Sequence, residues 1–280
     1  MKFEFFTLGG SQFWEDVFFY QKWRIQRNYE TKKCRLLDPW DIRRHEGTFE
    51  SCRKAFFKAI ETYELPRQKG PMVIMFHGLF DSKNIFKPLW REALKDDFEA
   101  AAVNYPSTQK HIESHVRQLD FFMEHLEDIK EVSFVTKGCG GLILRYMLKL
   151  NSPWQKRIKI KRIVQVNPPN QGSRLFGKLN NSRIARMIFG PMLGDCAPAK
   201  AMYVPEFSNK TEFGIINCDS WGSWLLKLLP KTLSQALYRP DEALLTGAKD
   251  TAEIKSFHLN PFKDETVVEK TMNFIKNGKF

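Results

Sequence analysis

The stretch Val132-Ser133-Phe134-Val135-Thr136-Lys137-Gly138-Cys139-Gly140-Gly141-Leu142-Ile143-Leu144-Arg145 constrains the fold of this chain more than any other. Its first half is a β-branched and apolar run, as in a strand covered on both faces. Its second half, with Leu142-Ile143-Leu144, opens a helix. Between them lie Gly138, Cys139, Gly140 and Gly141, so strand and helix meet in a tight turn. A strand that feeds a helix at once belongs to a right-handed βαβ unit, and so to a largely parallel sheet.

The same alternation begins at Met72. The apolar run Met72–Phe76 stops at His77-Gly78, and Phe86, Leu89, Trp90 and Leu94 then share one face of a helix over about 84–95. A strand at 98–105 is closed by Pro106-Ser107-Thr108, and a helix covers about 109–128. Strand 131–136 and helix 140–150 follow, then strand 160–166, broken by Asn167-Pro168-Pro169-Asn170. A later strand is predicted at 212–217 and a closing helix at 265–276. The expected class is α/β, a mostly parallel central sheet with helices on both faces. Residues 1–68 read differently, being crowded with aromatics. The spacing of Phe13-Trp14, Val17-Phe18 and Ile25 predicts a helix over 11–27, and Thr48 is placed to cap a second over 48–63. These residues are expected to be a helical N-terminal extension packed on the core, joined through Gln68-Lys69-Gly70-Pro71 to a domain of residues 72–280.

A chain of 280 residues can bury a sizeable core. Its net charge of +12 favours acidic partners. The basic residues are scattered, so an anionic membrane surface stays open as a partner and no nucleic acid is expected. Residues 1–27, rich in Trp, Phe, Lys and Arg, would suit a membrane interface as well as packing on their own domain. No apolar stretch reaches the roughly 18–20 residues that cross a bilayer. The N-terminus lacks the pattern of a cleaved leader. Five cysteines form no CxxC pair, which points to reduced thiols and a cytoplasmic setting. No cofactor and no metal is expected.

Five segments in order resemble the bacterial lipase- and esterase-like branch of the α/β-hydrolases, over residues 72–280. The turn resembles the nucleophile elbow G-x-S-x-G, with the family's G-H-S-M-G-G appearing as Thr136-Lys137-Gly138-Cys139-Gly140-Gly141. Phe76-His77-Gly78-Leu79 is similar to the family's H-G turn, and Val103-Asn104-Tyr105-Pro106-Ser107-Thr108 to its V-x-Y-P-S-T step. Val166-Asn167-Pro168-Pro169-Asn170-Gln171-Gly172-Ser173 is close to its P-P-N-Q-G-S stretch, the most specific of the matches. Ser256-Phe257-His258 stands before the C-terminus as the family's histidine does. The resemblance implies carboxylic-ester chemistry. Leu79 and Cys139 would give the backbone donors of an oxyanion hole. His77, Gly78, Asn170 and Gln171 would bind substrate. His258 would be the triad histidine, with Asp241 as its acid and Asp250 as the rival.

Aligned without gaps, the nucleophile position is Gly138, which has no side chain to attack an ester. The family's histidine before it is Lys137, and the glycine after its acid is Glu242. Three departures at one site imply lost catalysis, with a pocket retained for an acyl or lipid ligand or for a partner. In the alternative, Cys139 is the nucleophile of an esterase or thioesterase, with His258 and Asp241, because a thiol at a helix N-terminus ionises readily. A third reading is a peripheral membrane protein that docks through residues 1–27.

Overall fold

The computed structural model describes residues 11–220 and 240–280. Among the described residues, ten strands form two sheets. β1 (Trp14–Tyr20), β2 (Trp23–Asn28), β3 (Cys34–Leu37) and β4 (Arg43–Gly47) make an antiparallel sheet in sequential order. β5 (Met72–Phe76), β6 (Glu99–Val103), β7 (Glu131–Lys137), β8 (Lys159–Val166), β9 (Glu212–Ser220) and β10 (Asp250–Phe257) make a parallel sheet in the order β10-β9-β8-β7-β5-β6.

The parallel sheet is covered on both faces, as its continuous apolar strands require. On one face lie α3 (Ile112–Glu124) and α4 (Gly140–Lys149), whose Leu119, Phe122, Leu142 and Ile143 pack with Ile74, Phe76 and Phe134. On the other lie α2 (Lys87–Lys95) and α10 (Glu265–Asn277), whose Leu89, Ala93, Val267 and Phe274 pack with Val73, Met75, Val135 and Val164. Four short helices follow β8: α6 (Arg174–Leu179), α7 (Arg183–Phe189), α8 (Met192–Asp195) and α9 (Pro198–Ala201). The short α5 (Trp154–Arg157) precedes that strand.

The helix expected over 11–27 is absent, and two strands joined by a hairpin stand there. Gln21 and Lys22 turn the chain with φ of 47° and 68°, the left-handed pair that a two-residue hairpin needs. β1 is buried on both faces, so its apolar residues do not alternate with polar ones. Phe19 joins the core of the parallel sheet, while Val17, Phe18 and Tyr20 pack with Trp23, Ile25 and Leu36. A strand covered on both sides cannot be told from a buried helix by periodicity alone. The second expected helix is present as α1 (Phe49–Tyr63), with the Thr48 hydroxyl accepting from Ser51 N at 3.1 Å. Its Phe56 meets the edges of Phe18 and Tyr20 at 5.0 and 5.5 Å.

Asp16 ties this sheet to the larger one. Its backbone N donates to Asn104 O, and its carboxylate accepts from Asn104 N at 2.7 Å. Residues 1–10, part of the proposed membrane contact 1–27, lie outside the described residues. Among the described residues no helix is long and apolar enough to cross a membrane.

Candidate active site

The chain steps from β5 to β6 on one side, then crosses back to place β7 on the other side of β5. Such a switch point opens a crevice at the carboxyl ends of the strands, where ligands bind in parallel sheets. Two turns border it, His77-Gly78-Leu79 after β5 and Gly138-Cys139 after β7.

Gly138 carries the turn from β7 into α4. Its φ is +54°, in the left-handed region that side chains other than glycine rarely adopt. A Cβ added there would meet nothing closer than Gly78 Cα at 3.7 Å, an ordinary contact. Gly140 is glycine for a different reason. A Cβ there would stand 2.6 Å from Phe76 O and 2.7 Å from His77 O, so β5 passes too close for any side chain. Cys139 lies between them in right-handed helical conformation, with φ −60° and ψ −14°. The left-handed position of the turn is therefore Gly138.

Cys139 and Cys196 are joined as a disulfide, their Cα atoms 6.4 Å apart. This corrects the expectation of reduced thiols at both positions. The pairing links the elbow to the segment after α8. Cys34, Cys52 and Cys218 are free and buried.

A cavity of about 360 Å³ opens beside the elbow, within the range of small-molecule sites. Leu79, Phe80, Leu175, Phe176, Leu179 and Phe189 give it an apolar wall. Gly78, Asp81, Lys137, Gly138, Cys139 and His258 also line it. The backbone N–H groups of Leu79 and Cys139 make no hydrogen bond to a described residue. Both residues line the cavity, and α4 directs its N-terminal dipole toward it.

Lys137 donates to Asp81 at 2.6 Å, with their side chains only 10% and 20% exposed. The pair replaces a lone cation with a compensated one at the mouth of the turn. Asp81 was invisible as a site residue in the sequence. Its one signal was its place three residues after Gly78, on the same loop.

His258 also reaches the cavity. Its Nδ1 faces Cys218 O at 2.9 Å, and a carbonyl only accepts, so Nδ1 carries the proton. Burial pushes its pKa down to about 3; the Cys218 carbonyl opposes the shift and the charge of Lys137 adds to it. The imidazole is neutral at pH 7.

Other expected site residues are placed elsewhere. Both Asp241 carboxylate oxygens accept from Arg174 Nη2, at 2.7 and 2.6 Å, on a side chain 60% exposed. Asp250 starts β10, while His258 follows the opposite end of that strand, roughly 25 Å of extended chain away. The Asp250 carboxylate instead accepts from Thr251 N and Phe280 N. Asp219, near the end of β9 and next to Cys218, is an acid outside every motif of the sequence.

Of the four expected substrate-binding residues, only Gly78 lines the cavity. His77 is fully buried. Its Nδ1 donates to Gly78 O at 2.9 Å, its Nε2 accepts from Tyr105 N, and its ring stacks on Tyr105 with centroids 3.9 Å apart. The Tyr105 hydroxyl donates to His77 O. Asn170 is buried and donates to Gln165 Oε1 and Ala243 O while accepting from Arg145. Gln171 is exposed and donates to Leu244 O. These three side chains hold loops in place. From the same motif, Asn167, Pro169 and Ser173 face the cavity instead.

No protein-family model matches the chain, and no curated protein does. Solved structures do. A Bacillus licheniformis lipase in mature form is 15% identical with a TM-score of 0.56, over 76% of this chain and 94% of that one. The product of a Listeria innocua gene is 14% identical with a TM-score of 0.50, over 75% of this chain and 95% of that one. At such identity the likeness lies in the architecture. The chain has the α/β-hydrolase fold.

Proposed function

We propose that this chain is a lipase- or esterase-like protein that has lost acyl transfer and uses its cavity to bind an acyl or lipid ligand. The carrying observation is Gly138 at the left-handed elbow, where a side chain would meet only an ordinary contact with Gly78 but the residue present has none. The rest of the site supports binding over turnover. Leu79 and Cys139, whose N–H groups make no hydrogen bond to a described residue, would offer them to a carbonyl oxygen, and the apolar lining suits an alkyl chain. His258, neutral and with its pKa near 3, is a weak base at pH 7.

Cys139 as the nucleophile is the less favoured reading. Its helical conformation and its pairing with Cys196 both count against a thiolate aimed at substrate.

Binding is tested by titrating the purified protein with a fluorescent medium-chain fatty acyl ester, beside Leu179→Asp, which places a charge in the cavity wall. Saturable binding to the wild type, weakened at least tenfold in the variant and without ester cleavage, is expected. Binding that Leu179→Asp leaves unchanged contradicts the assignment.

A further inference from the structure

The segment that walls the cavity also carries an unusual outer surface. From Arg174 to Leu193 the sequence holds Arg174, Lys178, Arg183 and Arg186 and no carboxylate at all. Arg174 is neutralised by Asp241 and Glu242, but Arg183 has no ion pair among the described residues. Arg186 donates to Asn180 O, which leaves its charge uncompensated.

Two apolar residues of α7 are placed outward. Ile184 is 67% exposed and Met187 69%, while Ala185 takes the buried position. Ile184 and Met187 are three residues apart and so share one side of the helix, beside Arg183 and Arg186. At the end of the same helix Phe189 lines the cavity and meets the Phe80 ring edge-on at 5.3 Å. One short helix thus shows solvent an apolar pair among cations while its last residue walls an apolar cavity.

We propose that α7 is a docking surface for an anionic lipid bilayer. The cations would meet lipid phosphates while Ile184 and Met187 enter the headgroup boundary, the arrangement that holds amphipathic helices at an interface. Charge complementarity selects this occupant. A purely electrostatic partner gives no use to Ile184 and Met187, and a purely apolar one gives none to a carboxylate-free stretch. The contact replaces residues 1–27 as the membrane-facing element. It rests on the acyl-binding reading in one respect only, that the docked helix would bring the cavity to a source of acyl chains.

Flotation of the full chain with phosphatidylcholine vesicles, alone or mixed with phosphatidylglycerol, tests it. Each basic residue near an anionic surface contributes about fivefold in affinity, so R183E/R186E is expected to weaken binding to the mixed vesicles by about 25-fold or more. Ile184→Asp with Met187→Asp is expected to weaken it by about tenfold or more. The control is K54E/K58E, which changes net charge equally on exposed positions of α1, and it is expected to stay within about twofold. Equal losses in the control and in R183E/R186E overturn the proposal, because net charge alone would then explain binding. So does absence of wild-type flotation, including the case where poly-glutamate binds instead and points to an acidic protein partner. Titration with the fluorescent acyl ester in vesicle-free buffer separates the two readings. R183E/R186E that binds ester but not vesicles supports the docking surface. Vesicle binding without ester binding leaves the surface standing and removes the acyl-binding reading alone.

Discussion

Lowering the pH is expected to unfold this protein well above the range where carboxylates titrate, because three histidines are buried as neutral rings. Burial holds His77 at about 4, His115 at about 3 and His258 at about 3, against 6.5 for a free imidazole. The native pKa values are depressed, so below pH 6.5 the unfolded chain takes up protons that the folded one refuses. Stability is complete above the unfolded value and falls as pH drops from 6.5 toward 4. Each unit of pH in that window costs about 1.4 kcal/mol per histidine. At pH 5 the three together cost about 6 kcal/mol, comparable with the whole stability of a typical domain, about 5–15 kcal/mol. Urea unfolding followed by tryptophan fluorescence at pH 7.5, 6.5, 5.5 and 5.0 reads this as a falling midpoint. His115→Leu removes one of the three contributions and is expected to flatten the fall by about a third. A midpoint that stays constant from pH 7.5 to 5.0 refutes the reasoning, as does a fall that His115→Leu leaves untouched.

Other outcomes follow from named contacts. Asp81→Ala leaves the Lys137 ammonium nearly buried and unpaired, and is expected to destabilise the chain by about 3–5 kcal/mol; replacing both members with apolar residues should recover most of that, read in thermal unfolding. Gly140→Ala forces a Cβ against Phe76 O and is expected to lose at least about 2 kcal/mol. Gly138→Ala meets only the backbone cost of a left-handed residue, about 1–2 kcal/mol, so the two variants should separate clearly in denaturant midpoint. Phe56→Ala opens a cavity between α1 and the antiparallel sheet and is expected to cost about 3–5 kcal/mol.

The parallel sheet was legible because βαβ units leave two strong marks, apolar strand runs and amphipathic helices between them. Met72–Phe76, 131–136 and 160–166 each fell on a strand of that sheet. The helix expected over 11–27 gives way to strands because β1 is covered by Phe19's neighbours on one face and by Phe56's on the other, which erases alternation. The turn Gln21-Lys22 carries no glycine or asparagine, so nothing in the sequence announced a hairpin. At the site, the elbow was legible because steric glycines sit in a fixed order around it. The P-P-N-Q-G-S match located the right loop, but which of its side chains face the cavity depends on loop conformation. Asn170 and Gln171 turn to Gln165 and Leu244, leaving Asn167, Pro169 and Ser173 at the wall. Two pairings had no sequence signal. Lys137 with Asp81, and Cys139 with Cys196, join residues 56 and 57 positions apart.

The central claim is that the elbow holds no nucleophile, and ester turnover measures it most directly. Wild-type protein, Cys139→Ala and His258→Ala would be incubated with short- and medium-chain p-nitrophenyl esters, and release of p-nitrophenol followed against buffer. The wild type is expected to release no more than buffer does, with both variants indistinguishable from it. Wild-type turnover that both substitutions abolish would contradict it, and would make Cys139 the nucleophile.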